Sequence, residues 1–197
     1  MAAIATSPFA RQLSAVNPLK FLQGYPQETL GQVQAMLDGA RIGPWLLQKY
    51  PTAHGVRTDR ALFDYVQALK QEYLRGADPL SKVAFDSKLQ IVQHALGTHT
   101  TVSRVQGNKL KAKREIRIAA LFKDCPPEFL RMIVVHELAH MRERNHDKAF
   151  YQLCTYMEPA YHQLEFEVRM YLTHVEATAT RCWAATSAAP GDAVTAR

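Results

Sequence analysis

Residues 129–151 read FLRMIVVHELAHMRERNHDKAFY, and this stretch decides how the rest of the chain is read. From Phe129 to Met141 apolar residues fall on nearly every side of a helix, the pattern of a helix surrounded by protein. Pro126 and Pro127 stand just ahead of it, where proline is tolerated because the first N–H groups of a helix lack an intrahelical partner. His136 and His140 are four apart, so they stack one turn above the other and present both imidazoles on the same side. Glu137 lies about 100° further round, beside the pair. Two neutral nitrogen ligands, a neighbouring carboxylate and a rigid support are what a catalytic metal ion with a bound water requires.

Such an ion needs a third protein ligand and an open position. His146 is the first candidate, but a straight helix would carry it about 240° round from His140 and facing away. The helix must therefore end after His140 and the chain fold back. Arg142 and Arg144 suit a helix C-terminus, where cations meet the negative end of the dipole, and Asn145 accepts the left-handed backbone with which helices stop. Glu165, on the final long helical stretch, is the alternative ligand. Local closure to His146 costs less chain entropy. Nitrogen ligands on a helix favour Zn2+ among divalent ions.

Upstream of this helix the residue period changes. THTTVSRV over 98–105 is rich in β-branched residues, and Gly107-Asn108 is a turn signal. Beyond it Leu110, Ala112, Ile116 and Ile118 occupy even positions, while Lys109, Lys111, Lys113, Glu115 and Arg117 occupy odd ones. The expectation is a β-hairpin with one buried and one basic face. Residues 104–117 hold six Lys or Arg against Glu115 alone, nearly the whole formal charge of +6. That patch suits a solvated face or a weak contact with nucleic acid. Its strand 110–120 is the candidate edge for aligning an extended substrate.

Further outward, 27–96 carries helical signals. Leu30, Val33 and Leu37 form one stripe, with Gly39 as its stop. Thr58 can cap a second helix bearing Leu62, Val66, Leu69 and Tyr73, ending at Gly76. Ser87 opens a third with Leu89, Val92 and Leu96. After the central helix, 148–157 and 161–177 are helical. Residues 1–17 and 184–197 are weakly patterned and expected to be flexible. The division is thus an N-terminal helical region over 18–80 and a second domain over 81–180. Cys125, Cys154 and Cys182 form no CxxC pair and read as reduced thiols. No apolar run approaches the roughly 18–20 residues of a membrane span, and MAAIATSPFARQLSAV lacks the layout of a secretory signal. The expected setting is the cytoplasm, without a membrane partner.

VVHELAHMRERNHDKAFYQL resembles the YgjP-like metallopeptidase family of the zincin group, whose hallmark is a VVHELAH helix followed by NH-x-x-x-F, here Asn145, His146 and Phe150. IRIAALFKDCPPEFLRMI also looks like that family's strand leading into its active helix. The resemblance spans roughly 80 to 180 and leaves the N-terminal helices unexplained. Tyr151 stands where family members often carry tryptophan. The resemblance implies an α+β zincin-like fold, a small antiparallel sheet or hairpin packed on a buried active-site helix. It implies zinc on His136, His140 and His146, Glu137 as base, and a protein or peptide substrate. Distant similarity to SprT-type and Wss-like proteases adds weight to the basic hairpin as a nucleic-acid contact. Asp147 and Tyr151 are candidates for orienting the ligands or assisting catalysis, and Tyr161, His162 and Tyr171 for steadying an oxyanion. Asp147 reads equally well as an acid at a helix start, and the tyrosines as packed aromatics. A competing class is a zincin-fold binding module that holds metal and hydrolyses little.

Overall fold

A computed structural model of the chain describes residues 19–89, 97–106 and 109–183, with side chains for 19–89 and 114–183. The flexible ends expected at 1–17 and 184–197 lie outside these residues. Six helices and three strands follow in the order α1 (Gln27–Asp38), α2 (Ile42–Lys49), α3 (Asp59–Tyr73), β1 (Leu80–Asp86), β2 (Gly97–Gln106), β3 (Lys109–Ala119), α4 (Pro127–Ala139), α5 (Lys148–Met157) and α6 (Tyr161–Thr178). The class is α+β, as expected.

Helix α4 begins with Pro127 in its first turn, and all of it except Pro127, Glu128 and Arg131 is buried. It packs against α3, α5 and α6 and against β2 and β3. Phe129 shows how it is gripped: its ring meets Tyr50 at 5.1 Å, Trp183 at 5.6 Å and Tyr171 at 6.1 Å. Arg131, at the exposed flank, ties α4 to the end of α5 through Glu158 at 2.6 Å and the Met157 carbonyl at 2.8 Å. One buried core runs from Phe21 and Leu22 through α4 to Trp183.

The hairpin is present: β2 and β3 pair antiparallel, with Gln106 opposite Lys109. Gly107 and Asn108 lie outside the described residues. Ile116 and Ile118 are buried while Glu115 and Arg117 are not, so the expected alternation holds where side chains are described. The sheet differs from an antiparallel one, because β1 adds to the other side of β3 in parallel, giving the order β1-β3-β2. The sequence pattern hides β1, since a register shift between Leu80 and Lys82 breaks the period of two. Strand β3 is therefore central. Where β1 pairs with it, both sides of its backbone are engaged and no substrate can pair there; the outer edge beyond β3 belongs to β2. Two of the hairpin's cations are already ion-paired, Arg114 with Asp78 and Arg117 with Asp86, each at 2.9 Å.

The N-terminal helices follow the expected stripes with three changes. Thr58 caps α3, its Oγ1 accepting from the Ala61 amide at 3.2 Å, but the helix ends at Tyr73 rather than Gly76. Helix α2, which no stripe announces, carries Pro44 in its first turn and packs Ile42 and Leu46 inward. Its Gly43 meets His174 of α6 so closely that a Cβ would lie 2.9 Å from the ring. The helix expected from Ser87 has β1 before it and a turn at Ser87 and Lys88; 90–96 lie outside the described residues. Among the described residues no helix is long and apolar enough to cross a membrane.

Phe129→Ala removes a ring held by three aromatics and should destabilise the fold by roughly 3–5 kcal/mol. Thr58→Ala, losing one cap, should cost about 1 kcal/mol. Urea unfolding midpoints check both, and similar costs for the two would deny α4 its central place.

Candidate metal centre

Helix α4 stops at Ala139, with His140 as its C-terminal cap. The stop is not made by a left-handed Asn145, which has no positive φ. Instead the chain tightens: the Met141 amide bonds the Leu138 carbonyl at 3.0 Å, and the Arg142 and Glu143 amides bond the Ala139 carbonyl at 3.0 and 2.9 Å. These bonds satisfy the carbonyls that a helix end leaves open and turn the chain back on itself. Asp147 then starts α5 by accepting from the Phe150 amide at 3.1 Å. Of its two readings the structure shows the helix cap.

The fold-back brings His146 to the two helix histidines. Nε2 of His146 lies 3.1 Å from Nε2 of His140 and 3.2 Å from Nε2 of His136. A tetrahedral ion bound at about 2.0–2.1 Å separates its ligand nitrogens by about 3.3 Å, so the spacing fits one ion among three imidazoles. The tautomers agree. His140 Nδ1 lies 2.9 Å from the Glu143 carbonyl, which can only accept, so Nδ1 carries the proton and Nε2 presents its lone pair. His136 Nδ1 lies 2.7 Å from the Tyr161 hydroxyl. With that hydroxyl oxygen accepting from Nδ1–H, His136 Nε2 is bare as well. Burial, reinforced by the other histidines, holds His136 far below and His146 below the usual imidazole range, so both stay neutral. The ring of Phe150 underlies all three imidazoles, at 5.0, 4.6 and 4.7 Å from His136, His140 and His146. The three histidines could hold a metal ion; His136 is buried, His140 half-buried and His146 exposed, so the group opens outward on the His146 side.

Glu137 is 1% exposed, and its Oε2 is the buried side-chain polar atom without a partner among the described residues. Burial alone pushes its carboxyl up to about 8. An isolated buried carboxyl is costly, and a cation beside it relieves that cost. The donor set and the orphan carboxyl therefore both fit a divalent ion.

Glu165, the alternative ligand, stands outside the three-histidine group and is paired with Arg169 at 2.6 Å. Tyr151 packs at 6.4 Å from His146 and 5.3 Å from the exposed His162. Tyr171 lies away from the site, among Phe122, Phe129 and Trp183. Sequence reasoning missed the Glu143 carbonyl, for which no side chain speaks, and the roles of Tyr161 toward His136 and of Phe150 beneath the imidazoles. Their spacing from the histidines carries no local signal.

His146→Ala should cut metal affinity by more than about a hundredfold while Glu165→Ala leaves metal content unchanged, as read by elemental analysis after dialysis. In the metal-stripped chain Glu137 keeps its proton up to about pH 8, whereas an unfolded chain releases it near 4.5. The unfolded state binds fewer protons across that window, so folded stability falls with rising pH by roughly 1.4 kcal/mol per unit from this group. Stripped Glu137→Gln should match the parent near the acid end of the window and exceed it in urea resistance near the alkaline end.

The family described as YgjP-like, metallopeptidase domain, matches residues 81–169. A UTP pyrophosphatase from Escherichia coli (strain K12) is 55% identical over 160 residues, covering 81% of this chain and 96% of that protein. No solved structure matches the chain. Hydrolysis is common to the family's description and the relative's name, and the match to the relative is longer than the match to the family. With that family match and this identity over most of both proteins, the chain belongs to the YgjP-like metallopeptidase family.

Proposed function

We propose that the chain is a zinc-dependent hydrolase of a nucleoside triphosphate, with UTP as the first candidate. His136, His140 and His146 hold the ion and Glu137 is the general base. The observation that carries the hydrolytic reading is three Nε2 atoms converging next to a buried carboxyl without a partner. The substrate is inferred from the UTP pyrophosphatase, 55% identical to this chain. When bound, a zinc ion supplies Lewis acidity, lowering the pKa of a coordinated water to roughly 7 and polarising the attacked oxygen.

The chain's own residues do the rest. The Glu143 carbonyl and the Tyr161 hydroxyl keep His140 and His136 in the tautomer that offers Nε2. Glu137, held on the rigid α4, accepts the proton of the attacking water. The water oxygen bonds to phosphorus, the bond to the departing pyrophosphate breaks, and the proton passes from Glu137 to product or solvent. Opposite charge nearby draws the Glu137 carboxyl back down from about 8, which makes it a base at neutral pH.

Peptide hydrolysis is the second reading, and one observation favours it. β2 is one edge of the sheet and packs on α4, the helix that carries His136 and is capped by His140. An extended peptide could pair with such an edge.

Pyrophosphate release from UTP and cleavage of casein should be measured with the same metal-loaded preparation. UTP turnover that stops with chelator and returns with zinc is the expected result. Glu137→Gln should keep its metal and lose about 10²–10⁴-fold in kcat. Casein cleavage without UTP turnover would move the substrate to peptides. Stoichiometric metal with neither activity would leave the binding-module reading.

A further inference from the structure

One charged cluster beside the histidines has no part in holding the ion. Along α6, Tyr161, Glu165 and Arg169 are spaced by four, so they lie on one face in successive turns. Tyr161 touches His136, which fixes this face toward the site. The Arg169 side chain leans back toward the helix N-terminus, as helical side chains do, and its guanidinium reaches Glu165 one turn nearer the histidines. Nη2 and Nε donate to Glu165 Oε1 at 2.6 and 3.3 Å, and Nη1 donates to the Phe21 carbonyl at 3.0 Å.

We propose that Arg169 is the anion-holding residue of the three-histidine site and takes the phosphate chain of a nucleoside triphosphate. This rests on the reading of the site as a nucleoside triphosphate hydrolase. A guanidinium has five N–H groups, and three are engaged here. One remains on each Nη, and together they are suited to two phosphate oxygens. A quarter of the Arg169 side chain is exposed against 8% of Glu165, so the arginine is the more open member of the pair. The need is clear from the surroundings. The site sits at the C-terminal end of α4, whose dipole is negative, and Glu137 and Glu165 add carboxyls nearby. A substrate bearing several negative charges requires a fixed cation there besides the ion.

The test is calorimetric titration of the full-length, metal-loaded protein with inorganic triphosphate, with bound metal assayed before and after, alongside steady-state kinetics on UTP. Arg169→Gln should weaken triphosphate binding about tenfold or more and raise KM for UTP by a similar factor, with kcat changed less than about threefold. Arg169→Lys keeps the charge, loses the fork and should fall between. Glu165→Gln should act in the opposite sense and tighten triphosphate binding, because it removes the carboxylate competing for the guanidinium. If the pair only latches α6 to the Phe21 carbonyl, both variants lower the melting temperature and neither shifts the triphosphate affinity of protein that circular dichroism shows folded. That result, or no binding to the parent, overturns the subsite. Triphosphate binding that depends on Arg169, in a protein that does not turn over UTP, keeps the subsite and overturns the substrate instead.

Discussion

Three imidazole nitrogens point their lone pairs at one place, and that arrangement is costly unless a cation sits among them. Neutral ring nitrogens 3.1–3.2 Å apart either repel or compete for protons, and His136 is too buried to accept one. The fold supplies what holds them there. Helix α4 is packed on almost every side, so His136 and His140 have little freedom. The tightened last turn returns the chain within six residues, and Asp147 starts α5 at once. Phe150, on the first turn of α5, then fills the space under all three rings. Nδ1 of His136 and Nδ1 of His140 are each engaged away from the cluster, which leaves their Nε2 atoms turned toward His146.

The same packing sets the electrostatics. Glu137 is taken from water with no hydrogen-bond partner for Oε2, and desolvation alone accounts for its raised pKa. A carboxyl in that state is a poor base until positive charge stands beside it, so an ion held by the histidines would be what makes Glu137 a base. Activated water and a base do not by themselves choose between a peptide carbonyl and a phosphorus atom. The choice lies in the charges and edges around the centre. Here those are the Glu165–Arg169 pair on the Tyr161 face of α6 and the edge strand β2, which packs on α4. The family description and the relative's name point to one each.

Much of this was written in local pattern. Helix α4 and its proline start, the stacked His136 and His140, the flanking Glu137, the hairpin alternation at Ile116 and Ile118, and the Thr58 cap all depend on residues a few positions apart. Such spacings survive any arrangement of the rest of the chain. Strand β1 escaped because its bulge breaks the alternation, and α2 because it is short and carries Gly43 and Pro44 in its first turn. Asn145 suggested the wrong stop, since a helix end can close by 3-10 bonds as well as by a left-handed residue.

By itself the sequence determined a buried helix with two histidines and a glutamate on it, and a nearby third histidine able to join them, because helical geometry makes neighbours of residues four apart. Only the tertiary structure decided that His146 closes the group while Glu165 turns to Arg169. It alone placed β3 in the middle of the sheet and set Tyr161, 25 residues further along the chain, against His136. Those outcomes depend on which helices pack together and in what register, and packing is a property of the whole core that no short stretch of residues carries.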